Sequence, residues 1–83
     1  METAPIPCTV YRSRRKRETY LFLPRDADPR DLPDELLALV GRLEPVMELE
    51  LTPERRLARA DVRTVMAALR ETGYYLQLPP PVI

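Results

Sequence analysis

Apolar and polar positions along the chain fall into short runs with two different periods. From Ile6 to Tyr11 the residues are mostly β-branched, aromatic or otherwise apolar, which predicts a strand, with Pro7 at its beginning or on an edge because it cannot donate a ladder hydrogen bond. Arg12 to Arg17 is a polar break, and Thr19-Tyr20-Leu21-Phe22-Leu23 predicts a second strand. The simplest local structure is a β-hairpin whose connection is Ser13 with its basic neighbours. In both strands apolar residues also occupy the positions between the alternating ones, which favours a sheet covered on both faces. Pro24 to Arg30 carries turn chemistry. A helix follows: Asp31 is its expected cap, Pro33 fits its first turn, and Asp34 and Glu35 favour the positive end of its dipole. Leu36, Val40 and Leu43 would share its buried face, Gly41 marks its end and Pro45 bars continuation.

Val46-Met47-Glu48-Leu49-Glu50-Leu51 then alternates with period two, predicting a third strand with Met47, Leu49 and Leu51 on one face. After a turn at Thr52 to Arg56, Asp61 caps a second helix in which Val62, Val65, Met66 and Leu69 recur at helical spacing as one buried stripe. Gly73 is placed to stop this helix with a positive φ, and Tyr74 to pack back on Leu69. Tyr74 to Leu78 forms the last strand. Its apolar residues, Tyr74, Leu76 and Leu78 on one face and Tyr75 on the other, predict a position inside the sheet with neighbours on both sides. Pro79-Pro80-Pro81 leaves as an extended polyproline segment. The order is β-β-α-β-α-β: a small α/β domain with a mainly antiparallel sheet of about four strands and two main helices.

Composition narrows this picture. The chain has 83 residues, 13 basic and 13 acidic, with no histidine and one cysteine. That length predicts one domain over residues 1–83, with residues 1–5 and 79–83 extended or flexible, and a core small enough to be marginal in stability. Zero net charge does not suggest a domain built around nucleic acid, although charge is segregated locally. A single cysteine excludes an internal disulfide. No apolar run has the length of a membrane helix or the form of a signal peptide, so the expected setting is the cytoplasm of a bacterium, away from membranes.

The ending Gly73-Tyr74-Tyr75-Leu76-Gln77-Leu78-Pro79-Pro80-Pro81 resembles the hallmark of the YcgL family of small gammaproteobacterial proteins. Cys8-Thr9-Val10-Tyr11-Arg12-Ser13 resembles the family's first strand and turn, Thr19-Tyr20-Leu21 its second strand, and Leu32-Pro33-Asp34-Glu35-Leu36 the start of its first helix. Leu57-Ala58-Arg59-Ala60-Asp61-Val62, with Val65 and Ala68-Leu69, resembles the approach to its second helix. The resemblance runs from about Cys8 to Pro81 and implies an α/β/α sandwich. It implies no activity, substrate, cofactor or catalytic residue.

The candidate chemistry is sparse. Arg12, Arg14, Arg15, Lys16 and Arg17 form a dense cationic tip that can meet the phosphates of RNA, with Tyr11 and Tyr20 beside it; the competing explanation is a solvated hairpin turn. Cys8 has no histidine to act as its base and reads as a buried strand cysteine. Asp26, Asp28, Asp31 and Asp34 lack the glycine and the terminal glutamate of a calcium loop and read as turn and helix-start residues. The only glycines, Gly41 and Gly73, make no phosphate loop. No catalytic residue, metal site or cofactor is therefore expected. Tyr75, Gln77 and the exit Pro79, Pro80 and Pro81 are the other candidates, as a surface for a protein or peptide partner: tyrosine offers an apolar face with a polar tip, and polyproline needs little ordering on binding. The expected function is a non-enzymatic interaction module acting through that surface, with an RNA-associated factor acting through the basic hairpin as the alternative.

Overall fold

A computed structural model describes residues 4–57 and 60–79. The first two strands, β1 (Ile6–Ser13) and β2 (Tyr20–Pro24), form the expected antiparallel hairpin, with Val10 opposite Phe22 and Arg12 opposite Tyr20. A short 3-10 turn, Pro29–Asp31, leads into α1 (Asp34–Val40). The chain continues through β3 (Leu43–Leu51), α2 (Val62–Glu71) and β4 (Tyr75–Gln77). The four strands make one antiparallel sheet in the order β3-β1-β2-β4.

Each face of the sheet carries one helix. On one face Cys8, Val10 and Phe22 meet Val62, Val65, Met66 and Leu69 of α2, with Tyr20, Leu49 and Tyr75 packed at the margin. On the other, Leu21 and Leu23 meet Leu32 and, from α1, Leu36 and Val40, with Tyr11, Leu43, Tyr74 and Leu76 beside them. Successive strand residues serve opposite cores, which is why β1 and β2 read as nearly continuous apolar runs rather than as clean alternations. Each buried leucine, valine or phenylalanine contributes about 1.5–3 kcal/mol, so two thin cores of this kind are what hold the sheet between its helices.

The structure departs from the sequence expectations in several places. β4 is an edge strand, paired only with β2, not a central one. Both of its faces are covered by helix-packed side chains, so apolar character on both faces does not require a strand neighbour on both sides; its brevity and the proline that follows keep this edge short. β3 begins at Leu43 and contains Pro45, because an edge strand tolerates the missing N–H that would break a helix. A bulge accompanies it: Met47 faces Val10 and Pro45 faces Tyr11, leaving Val46 without a partner across the ladder. Met47 keeps the phase of Leu49 and Leu51, opposite Val10, yet on this edge strand it is 52% exposed rather than buried with Leu51.

At α1 the cap is also displaced. Asp28 caps the 3-10 turn by accepting from the Arg30 N–H, Asp31 lies within that turn, and Pro33 stands at the N-cap of α1 with no side-chain hydrogen bond. Leu43 is part of β3, although it still packs beside α1. The second helix matches its pattern: Asp61 accepts from the Arg63 N–H at 2.8 Å, and the buried residues are the four of the expected stripe. Gly73 has the expected positive φ, 96°. Tyr74 does not pack back on Leu69; it turns to the opposite core, because Gly73 redirects the chain across the end of the sheet.

Candidate functional site

The candidate groups fall in three regions: the basic hairpin, the β4 edge and the acidic loop.

The hairpin connection is a structural knot. Ser13 Oγ donates to the Val40 carbonyl at 2.6 Å and accepts from the Lys16 N–H at 2.9 Å and the Arg15 N–H at 3.2 Å. Arg15 reaches the Ala38 carbonyl at 2.8 Å, and the Arg14 N–H bonds the Arg42 carbonyl at 2.9 Å. Carbonyls at the end of a helix lack internal partners and carry partial negative charge. The turn therefore caps α1 from another part of the chain, using a buried serine and a guanidinium. Gly41 makes this possible: an added Cβ would stand 3.0 Å from the Arg15 Cβ. Arg12 and Arg14 both pair with Glu44, at 2.8 and 3.2 Å. Of the five cations that are candidates for a phosphate contact, three are thus engaged within the domain. Lys16 and Arg17 are exposed and make no side-chain ion pair among the described residues.

At the β4 edge, Tyr75 is half-buried and meets Phe22 edge to face, with ring centroids 5.9 Å apart. Gln77, also half-buried, lies opposite Tyr20, and Tyr20 lies opposite Arg12, which faces Glu44 on β3. One row of the sheet therefore reads Glu44, Arg12, Tyr20, Gln77. The two surfaces that the sequence separates by more than fifty positions adjoin through Tyr20, which the sequence places beside the basic tip but not beside Gln77. Only the strand register reveals this. Pro79 is exposed, while Pro80 and Pro81 lie outside the described residues. Beyond β4 no strand pairs with its outer edge among the described residues.

The acidic loop borders a cleft of about 540 Å³, lined among others by Leu23, Asp26, Asp31, Leu32, Gly73 and Tyr74. Asp28, also on its wall, accepts from the Arg30 guanidinium at 2.8 Å. That bond holds the carboxyl below its ordinary pKa. Cys8 is fully buried, and loss of water pushes its thiol above the ordinary value, which keeps it protonated and unreactive. Among the described residues no group of His, Cys, Asp and Glu is arranged to hold a metal ion, and no helix is long and apolar enough to cross a membrane.

The fold and this surface define a small domain in which a four-stranded antiparallel sheet lies between two helices and ends in a short edge strand opening on Tyr75. The chain belongs to the YcgL domain family, whose model matches residues 8–80. A YcgL domain-containing protein of Thioalkalivibrio sulfidiphilus is 49% identical over 71 residues, spanning 86% of this chain and 88% of that protein. Another, from Shewanella denitrificans, is 46% identical over 74 residues, spanning 89% and 78%. A protein of Nitrosococcus oceani, provisionally named a HAD-like hydrolase, is 48% identical over 71 residues that make up 86% of this chain but only 19% of that protein.

Proposed function

We propose that this domain is a non-enzymatic interaction module that binds an extended segment of a protein along β4, with Tyr75, Gln77 and the proline exit at Pro79, Pro80 and Pro81 beside the docked chain. The observation that carries this reading is the position of β4 at an open sheet edge. A strand added there gains main-chain hydrogen bonds, while flanking side chains supply selectivity. Gln77 and Tyr20 offer polar groups at one end of the edge, and Tyr75 is braced by Phe22, so little ordering is needed on binding. The Nitrosococcus relative is consistent with such a role, since there a region like this chain is a small part of a much longer protein. Its name describes a protein of which four-fifths lies outside the match, so no hydrolase activity passes to this chain.

The RNA alternative is weakened by the hairpin itself. Arg12 and Arg14 are partly neutralised by Glu44, and Arg15 is committed to α1. Removing all the charges from Arg14 to Arg17 would therefore disturb the fold, so the discriminating variant is Lys16→Gln with Arg17→Gln. The test is affinity capture from nuclease-treated lysate. The reading expects capture that survives nuclease and the Lys16/Arg17 pair of changes, but is weakened at least tenfold by Tyr75→Ala with Gln77→Ala in protein shown to be folded. Loss of capture on nuclease treatment, or with the Lys16/Arg17 variant alone, would replace it with the RNA reading.

A further inference from the structure

The cleft at the start of β4 differs in character from the hairpin at its end. Its walls hold Asp26, Asp28 and Asp31 and no basic side chain, with Leu23, Leu32 and the half-buried Tyr74 beneath them. Asp28 is occupied by Arg30, whose charge also acts on Asp31 from a distance, whereas Asp26 and Asp31 are exposed and make no salt bridge among the described residues. Thr72 and Gly73 bring the C-terminal end of α2, and with it partial negative charge, to the same rim. The volume, about 540 Å³, lies in the range of sites that enclose a small group. A ligand suited to these walls is a cation on an apolar stem: the stem lies over leucine and tyrosine while the charge meets carboxylates.

We propose that this cleft receives one arginine side chain of the extended segment that docks along β4. The inference rests on the edge-strand reading given above and adds the chemistry of the partner. Position links the two: Gly73 and Tyr74 line the cleft and lead directly into Tyr75–Gln77, so the cleft adjoins the start of the edge strand, within reach of a long side chain. Charge complementarity selects the occupant. At the opposite end of the edge lie Gln77, Tyr20 and the cationic hairpin, so a basic residue is favoured at the Tyr74 end alone. Arginine fits better than lysine, because its planar fork can meet two carboxylates while lying flat on a tyrosine ring.

The test is an amide NMR titration of the whole chain with acetyl-Thr-Val-Arg-Val-Thr-amide, and with the same peptide carrying neutral, isosteric citrulline in place of arginine. The arginine peptide should shift the amides of Asp26, Asp31, Gly73 and Tyr74. Citrulline, or Asp26→Asn with Asp31→Asn in the protein, should weaken binding about fivefold or more, and added salt should do the same. Both aspartates are exposed, so the doubly substituted protein should keep its amide spectrum elsewhere. Equal affinity for the two peptides with shifts along β4 would overturn the arginine assignment and leave the edge-strand reading standing. Shifts confined to other regions, or none, would also overturn it, while the capture experiment judges the edge-strand reading separately.

Discussion

Both glycines carry backbone that other residues resist, but their surroundings differ. Gly73 has φ of 96° and nothing within 4 Å of an added Cβ, so Gly73→Ala should cost only the conformational penalty, about 1–2 kcal/mol. At Gly41, φ of 65° with ψ of −143° is joined by the close approach of Arg15. Gly41→Ala should therefore be the more damaging of the two in chemical denaturation, and equal midpoints for the two variants would contradict this account. Burial of Cys8 makes a further prediction. Its folded pKa lies above the ordinary 9.0, so the stability due to the protonated thiol is complete below that value and is lost as pH rises from it. Urea unfolding measured on either side of 9.0 should show that decline in the wild type and a smaller one in Cys8→Ala. A thiol reagent should modify Cys8 only on unfolding.

Among the elements, α1 depends on its neighbours. It is a helix of seven residues with no side-chain N-cap, too short to persist alone. Ser13 and Arg15 hold its far end from the hairpin. Ser13→Ala leaves a buried carbonyl and two turn N–H groups without this partner and should cost about 1–3 kcal/mol. Arg15→Gln should cost less, since the guanidinium is exposed, and Lys16→Gln should be near neutral. Comparable losses at Ser13 and Lys16 in thermal unfolding would remove the capping role. The elements also show what a sequence conveys. α2 was legible because Asp61, its four-residue stripe and Gly73 all act within one segment. The displaced cap of α1 was less so, since Asp28, Asp31 and Pro33 each satisfy a local rule and only the packed loop chooses among them. Likewise Pro45 announces that a helix cannot pass, but not that an edge strand can.

Over the whole molecule, zero net charge conceals a division between a cationic hairpin and an acidic loop at different ends of the β4 edge. The sandwich itself was legible, through runs of apolar residues serving two cores and through the resemblance carried by the C-terminal motif. Strand order was not, because a strand covered on both faces, as β4 is, reads alike at the centre and at the edge. The row from Glu44 through Arg12 and Tyr20 to Gln77 depends on pairing between distant segments, which periodicity does not encode. That row and the open edge both support the proposed binding along β4. Its most direct test is hydrogen exchange on the domain with a captured protein partner bound. Exchange of the outward-facing amides within Tyr75–Gln77 should slow by at least about tenfold, with little change at Lys16 and Arg17, as expected when edge amides gain hydrogen-bond partners. Unchanged exchange along β4, with protection confined to the hairpin turn, would contradict it.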